Sequence, residues 1–393
     1  MNKGSRYILP IIVVSQFAGT SLWFVGNAIL PELKVSLHLN QYALSQVTTA
    51  VTFGFISGTL VFAFFTLADR FSPVGLFFIS SIAAAFFNAS VVWLAKDATT
   101  LFLLRFLTGF FISGIYPVGM KIAADWYEKG LGKALGYLVG ALVLGTALPH
   151  LLKNRDFALP WKNVLYITSG FAIIGGLLML LFVENGPYRK KSGVFQWNAF
   201  YIIFKSKKWR QAAFGYFGHM WELYSFWALV PLMLELYNTQ QGYNLNISLW
   251  TFLVIASGAI SSVLGGYGSL RLGSARIAFT ALFISCVLCF ISPFIFVLPP
   301  TLFLFILFIW GFTVIPDSPQ FSTLVAQYAP EQLKGTALTI YNSMGFFIAT
   351  ISLLLVDGVF HSGGFLGCRN TFLFLGIGPL FGLLSCYRLL ERY

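Results

Sequence analysis

The chain has 393 residues, of which 58% are hydrophobic and 18% aromatic, while only 10% are charged. A soluble domain carries about 25% charged residues, and a disordered chain needs low hydrophobicity and high charge, so both classes are excluded. The net charge of +12 would suit nucleic acid, but its distribution along the chain assigns it to membrane topology.

Apolar runs of spanning length predict helices at 7–30, 43–67, 75–95, 101–122, 131–152 and 163–183. A polar, basic segment follows, 184–210. Six more spans are predicted at 211–235, 247–270, 277–298, 301–325, 336–356 and 370–388. The run from Tyr7 to Leu30 is longer than the core of a signal peptide, so it is expected to be a retained first span. The fold class is an all-α membrane protein of 12 transmembrane helices in two six-helix bundles, 1–183 and 211–393. The linker 184–210 carries seven basic residues with Phe195, Trp197, Phe200, Tyr201 and Phe204. That composition suits a helix lying along the inner leaflet, with a solvated linker as the alternative.

Lys and Arg set the orientation. With the N-terminus inside, 18 of the 25 fall in inner segments, among them Arg70, Lys121, Arg189, Lys205, Arg210, Arg271 and Lys334. The outer loops hold Lys34, Lys96, Lys153, Arg155, Lys162 and Arg369, and Arg105 lies within a span. Both termini are therefore expected in the cytoplasm, in a plasma or inner membrane, with lipid rather than nucleic acid as the partner of the basic charge. Of the four cysteines, Cys286, Cys289, Cys368 and Cys386, the first two form a C-x-x-C inside an apolar run. No paired ligands flank it, so it reads as two small apolar residues of a span, and no metal is expected.

The chain repeats itself. Arg70, after span 2, matches Arg271, after span 8, at an offset of 201 residues. Gly109 and Pro117 in span 4 match Gly311 and Pro319 in span 10 at an offset of 202. Two independent places agreeing on one offset indicate a duplicated six-span unit, an architecture of transporters with a substrate site at the repeat interface.

The loop Leu67-Ala-Asp69-Arg70-Phe71, its degraded copy Gly266 to Arg276, and the R-x-x-x-G of Arg105 and Gly109 together resemble the major facilitator superfamily over essentially the whole chain. The family loop reads roughly G-x-L-A-D-R-x-G-R-R/K. Here Phe65 and Ser72 replace its glycines, Pro73 and Val74 its basic pair, and Leu270 the acid of the second copy. The resemblance implies that spans 1, 4, 7 and 10 line a central cavity. It also implies an inner gate at Asp69, Arg70 and Arg271. Span 5 reads Gly136-x-x-x-Gly140-Ala141, where drug antiporters have a proline in place of Ala141, and it lacks the asparagine of nitrate porters.

A charge at the bilayer centre costs about 2.5–3.5 kcal/mol on insertion scales, so embedded ionisable groups are candidate functional sites. They are Arg105 in span 4, His219 and Glu222 in span 7, and Asp317 in span 10. His219 and Glu222 are three residues apart and share a helix face, so together they are placed to carry a proton; a static hydrogen-bonded pair is the alternative. Asp317 sits in Pro316-Asp317-Ser318-Pro319, where two prolines break the helix. It is a proton-carrier or cation-site candidate, or else a salt-bridge partner. Arg105 offers a guanidinium fork to an anionic solute, or snorkels outward. Gln16 and Asn27 on span 1, with Trp23, Tyr116, Tyr224 and Trp227, are candidates to complete a pocket.

No phosphate-binding loop occurs, so ATP is not the expected energy source. No paired nucleophile and base suggests an enzyme. The expected function is secondary transport of a small polar or anionic solute by alternating access, by a monomer with no cofactor. A proton gradient drives it, with sodium bound by backbone carbonyls left open. Two alternatives stand: an efflux antiporter for metabolites, siderophores or drugs, and a sensor that keeps the fold without flux.

Overall fold

The computed structural model describes residues 5–127, 131–154, 159–189, 199–330, 333–362 and 369–390. Phe195, Trp197, Cys368 and the side chain of Asp69 lie outside that description. Every regular element among the described residues is helical. The chain divides into two compact units, Met1–Phe195 and Gln196–Tyr393.

The first unit begins with α1 (Ser5–Thr20), followed by a break and two short helices, α2 (Val25–Ala28) and α3 (Leu30–Ser36). The single continuous span expected at 7–30 is therefore broken at 21–24. Thr20 and Ser21 turn their hydroxyls back onto the carbonyls of Gln16 and Ala18, a local bonding pattern that bends helices. Next come α4 (Ala43–Phe64), a single turn α5 (Leu67–Arg70), α6 (Pro73–Leu94), α7 (Ala98–Ile112), α8 (Tyr116–Trp126), α9 (Leu131–Leu152) and α10 (Trp161–Phe182). The start of α7 follows from local chemistry. Asp97 accepts from the Thr100 amide at 2.8 Å while the Thr100 hydroxyl accepts from the Asp97 amide, a reciprocal cap. The Thr100 amide holds the Asp97 carboxyl below its ordinary range. Within the unit α4 packs on α7, α6 on α10, and α1 on α9 and α10.

The second unit contains α11 (Ala199–Lys205), α12 (Lys207–Gln241), α13 (Ile247–Leu272), α14 (Ser274–Ile295), α15 (Pro300–Thr313), α16 (Ser318–Tyr328), α17 (Lys334–Ser362), a 3₁₀ turn (Thr371–Gly376) and α18 (Ile377–Cys386). Ser206 caps α12 by accepting from the Trp209 amide, so this helix starts before the expected 211. It runs on past 235 to Gly242, whose φ of +70° ends it. In this unit α12 packs on α16, α17 and α18, and α13 on α15.

Among the described residues, ten helical segments are long and apolar enough to cross a membrane. The two remaining expected spans are absent from that set for different reasons. The break shortens α1, and α12 is long but carries His219, Glu222, Glu235 and a polar last turn. Together they make up the twelve-helix architecture.

The duplication is visible in the backbone. Span 4 is α7 and α8 interrupted at 113–115, and span 10 is α15 and α16 interrupted at 314–317. Ala98, Tyr116 and Trp126 bound the first pair, and Pro300, Ser318 and Tyr328 bound the second 202 residues on. The contacts repeat too. A Cβ on Gly109 would strike the carbonyl of Val51, and one on Gly311 would strike that of Val254. Backbone there cannot yield as a side chain can. Gly109→Ala and Gly311→Ala are each expected to cost about 1–3 kcal/mol, the range for overpacking. Gly170→Ala, which meets nothing within 4 Å, is expected to be neutral. Thermal unfolding in detergent, monitored by size exclusion, checks all three.

Candidate functional site

In the first unit the polar centre is Arg105. It lies on α7, is 1% exposed, and does not snorkel. Its Nη1 donates to Asn88 Oδ1 at 2.8 Å, and its Nη2 to the carbonyls of Leu22 and Trp23 at 2.9 and 2.8 Å. Those carbonyls belong to the break after α1. A broken helix frees backbone acceptors that lipid cannot satisfy, and Arg105 takes two of them. Asn88 is held in turn, its Nδ2 donating to Ser169 Oγ at 2.9 Å, the Leu165 carbonyl at 3.2 Å and Thr168 Oγ1 at 3.3 Å. One guanidinium therefore joins α6, α7, α10 and the α1 break through neutral partners. Its Nε makes no hydrogen bond among the described residues.

The other first-unit candidates divide. Asn27 ties α2 to α4 by donating to Thr48 Oγ1 at 2.7 Å. Trp23 is buried with its ring 4.8 Å from Phe55. Gln16 is fully buried, and neither atom of its amide makes a hydrogen bond among the described residues. Tyr116 is half-buried at the start of α8.

In the second unit His219 and Glu222 share α12 but not partners. His219 Nδ1 lies 2.9 Å from Asp317 Oδ1, and both side chains are buried. The contact is close in distance, yet the two atoms are not aligned for a hydrogen bond. The carboxylate facing His219 is thus Asp317, where the helix spacing had suggested Glu222. Asp317 is the last residue of the break between α15 and α16, the one Pro316 and Pro319 create.

Glu222 has three donors of its own. Trp310 Nε1 donates to Oε1 at 2.6 Å, Ser285 Oγ to Oε2 at 2.9 Å, and Cys289 Sγ to Oε1 at 3.3 Å. This carboxylate ties α12 to α14 and α15. Trp310, Ser285 and Cys289 were not singled out in the sequence, because each passes for an ordinary residue of an apolar span. Cys289 came nearest, through its C-x-x-C. Tyr224 is buried against Trp227 and Phe346, with ring centroids at 5.5 and 5.1 Å.

Arg70 and Arg271 are exposed. The loop after α5 is secured from an unexpected quarter. Arg189 Nη2 donates to the Phe71 carbonyl at 2.6 Å, and Ser72 Oγ to Asn185 Oδ1 at 3.0 Å. The same segment reaches α8, where Trp126 Nε1 donates to the Glu184 carbonyl and the Tyr188 amide to the Asp125 carbonyl. Arg189 supplies a basic contact to a loop whose own basic pair has become Pro73 and Val74.

The sequence matches the Major Facilitator Superfamily over residues 12–353. The chain belongs to that superfamily. It is 26% identical over 221 residues, 55% of its length, to an uncharacterized transporter of Schizosaccharomyces pombe, and the match spans 35% of that relative. Among solved structures it resembles the human organic anion transporter MFSD10 (TM-score 0.75, 15% identity, 96% of this chain and 99% of the other). It also resembles a bacterial homologue of the human lysosomal transporter Spinster (TM-score 0.71, 14% identity, 100% and 98%). As a member of the Major Facilitator Superfamily the chain is a multi-pass membrane protein of a transporter family.

The Arg105 cluster yields a direct test. Asn88→Ala leaves one guanidinium nitrogen without its acceptor and is expected to lower stability by about 1.5–3 kcal/mol, the worth of a hydrogen bond to a charged group. Arg105→Lys, whose ammonium cannot reproduce the planar fork, is expected to be as destabilising as Arg105→Ala. Thermal unfolding in detergent measures both, and a lysine variant matching wild type would refute the bridging role.

Proposed function

We propose that this chain is a proton-coupled secondary transporter that moves a small polar or anionic solute across the plasma or inner membrane by alternating access. In this reading it works as a monomer with cytoplasmic termini, without ATP or a bound cofactor. The observation that carries the proposal is the buried contact between His219 and Asp317 at the break in span 10. A charged imidazole and a carboxylate together are neutral. One further proton makes the pair a net cation, and an unpaired buried charge is costly. That cost favours a state in which water or an anionic solute compensates the charge, which is a coupling mechanism in physical terms.

Arg105 supports the anionic class. It is a buried cation whose hydrogen-bond partners are all neutral.

The test is uptake into proteoliposomes, acid outside, with a panel of organic acids, phosphate, sugars and amino acids. One pH unit supplies about 1.4 kcal/mol, a tenfold accumulation at one proton per neutralised solute. Wild type is expected to accumulate a solute in that range. Asp317→Asn is expected to abolish accumulation while leaving exchange of labelled for unlabelled solute intact. Accumulation by Asp317→Asn equal to wild type would sink the coupling. Flux opposite to the protons would indicate an efflux antiporter, and binding without flux a sensor.

A further inference from the structure

Neither the sequence pattern nor the superfamily assigns a role to Tyr216, one helical turn before His219 on α12. Its ring packs close to parallel with two others. The His219 imidazole lies on it with centroids 5.6 Å apart and planes at 27°, and Tyr341 of α17 at 3.8 Å and 24°. The phenol is anchored at its far end, where the hydroxyl donates to Asn342 Oδ1 at 3.1 Å. Tyr341 is tethered by its hydroxyl to Ser322 of α16 at 3.4 Å. The space for the ring exists because residue 345 is glycine. A methyl there would overlap Tyr216 Cε1 and sit 3.0 Å from Met220 Cγ.

An imidazole beside a carboxylate, with no aligned hydrogen bond to fix it, is free to turn unless packing prevents it. His219 has that problem: Nδ1 is close to Asp317 but misaligned, and Nε2 makes no hydrogen bond among the described residues. We propose that Tyr216 is a positioning residue. Its ring, seated in the gap at Gly345 and stacked against Tyr341, clamps the imidazole so that Nδ1 faces Asp317 and Nε2 is the nitrogen left to exchange protons. The inference rests on the reading of His219 and Asp317 as the proton site. The other titratable groups around the pair are Glu222 on α12, Tyr341 on α17 and Cys386 at the end of α18, with Glu222 and Cys386 within electrostatic reach of Asp317. Glu222 is already engaged by Trp310, Ser285 and Cys289.

The experiment is ring-¹⁵N solid-state spectroscopy of the full chain in lipid bilayers. Four histidines give resolvable signals, and His219→Gln identifies the one of interest. Wild type is expected to show one ring population for His219. Tyr216→Phe keeps the stack and is expected to match wild type. Tyr216→Leu is expected to give a second population, with the proton divided between the two nitrogens. Gly345→Ala, which displaces the ring without removing it, serves where Tyr216→Leu fails to fold and is expected to do the same. A single unchanged population in both displaced variants would overturn the clamp. Gradient-driven uptake on the same samples separates the two ideas. A clamped ring with no dependence on the proton gradient removes the coupling reading and leaves the clamp. Coupled uptake with an unclamped ring does the reverse.

Discussion

The constraint on which this structure depends is the absence of water in hydrocarbon: each polar group carried into the membrane must find its partner within the chain. Arg105 shows the consequence. Its charge is affordable because the α1 break offers two backbone carbonyls and Asn88 a third oxygen. The break is tolerable because Arg105 fills it. Each feature supplies the other's hydrogen-bond partners, and Asn88 extends the pair into α10.

The second unit meets the same constraint twice, with different chemistry. Glu222 is surrounded by an indole, a hydroxyl and a thiol that all donate to it. Asp317 Oδ1 lies 2.9 Å from His219 Nδ1, and neither carboxyl oxygen has an aligned side-chain donor among the described residues. One carboxyl is engaged by three neutral donors, while the other faces an imidazole. A duplicated scaffold, with glycines 109 and 311 making the same backbone contact, has thus come to hold a permanent cation in one unit and a titratable pair in the other.

Much of the architecture was legible in the sequence, since hydropathy reports burial in lipid directly. The 202-residue offset between Gly109 and Gly311 anticipated the duplication, and the prolines around Asp317 anticipated the break in span 10, while the matching break in span 4 was not anticipated. The break in the first span was not anticipated, because Thr20 and Ser21 bend a helix by back-bonding without a proline to mark it. The ionisable residues were legible as types, but their partners were not. Spacing along α12 put His219 and Glu222 on one face, yet their contacts are set by the rotation of α14 and α15 about their own axes. Hydropathy is blind to that rotation, so Trp310, Ser285 and Cys289 passed as ordinary apolar-span residues and Asn88 went unnoticed.

The central claim is that the proton-exchanging carboxyl is Asp317 in contact with His219, while Glu222 is held by its three donors. Infrared difference spectroscopy of the protein in bilayers, between acid and neutral pH, reads it most directly through the stretching band of a protonated carboxyl. The account predicts a band that disappears in Asp317→Asn and persists in Glu222→Gln. A band that persists in Asp317→Asn and vanishes in Glu222→Gln would contradict it and move the proton site to the Trp310 cluster.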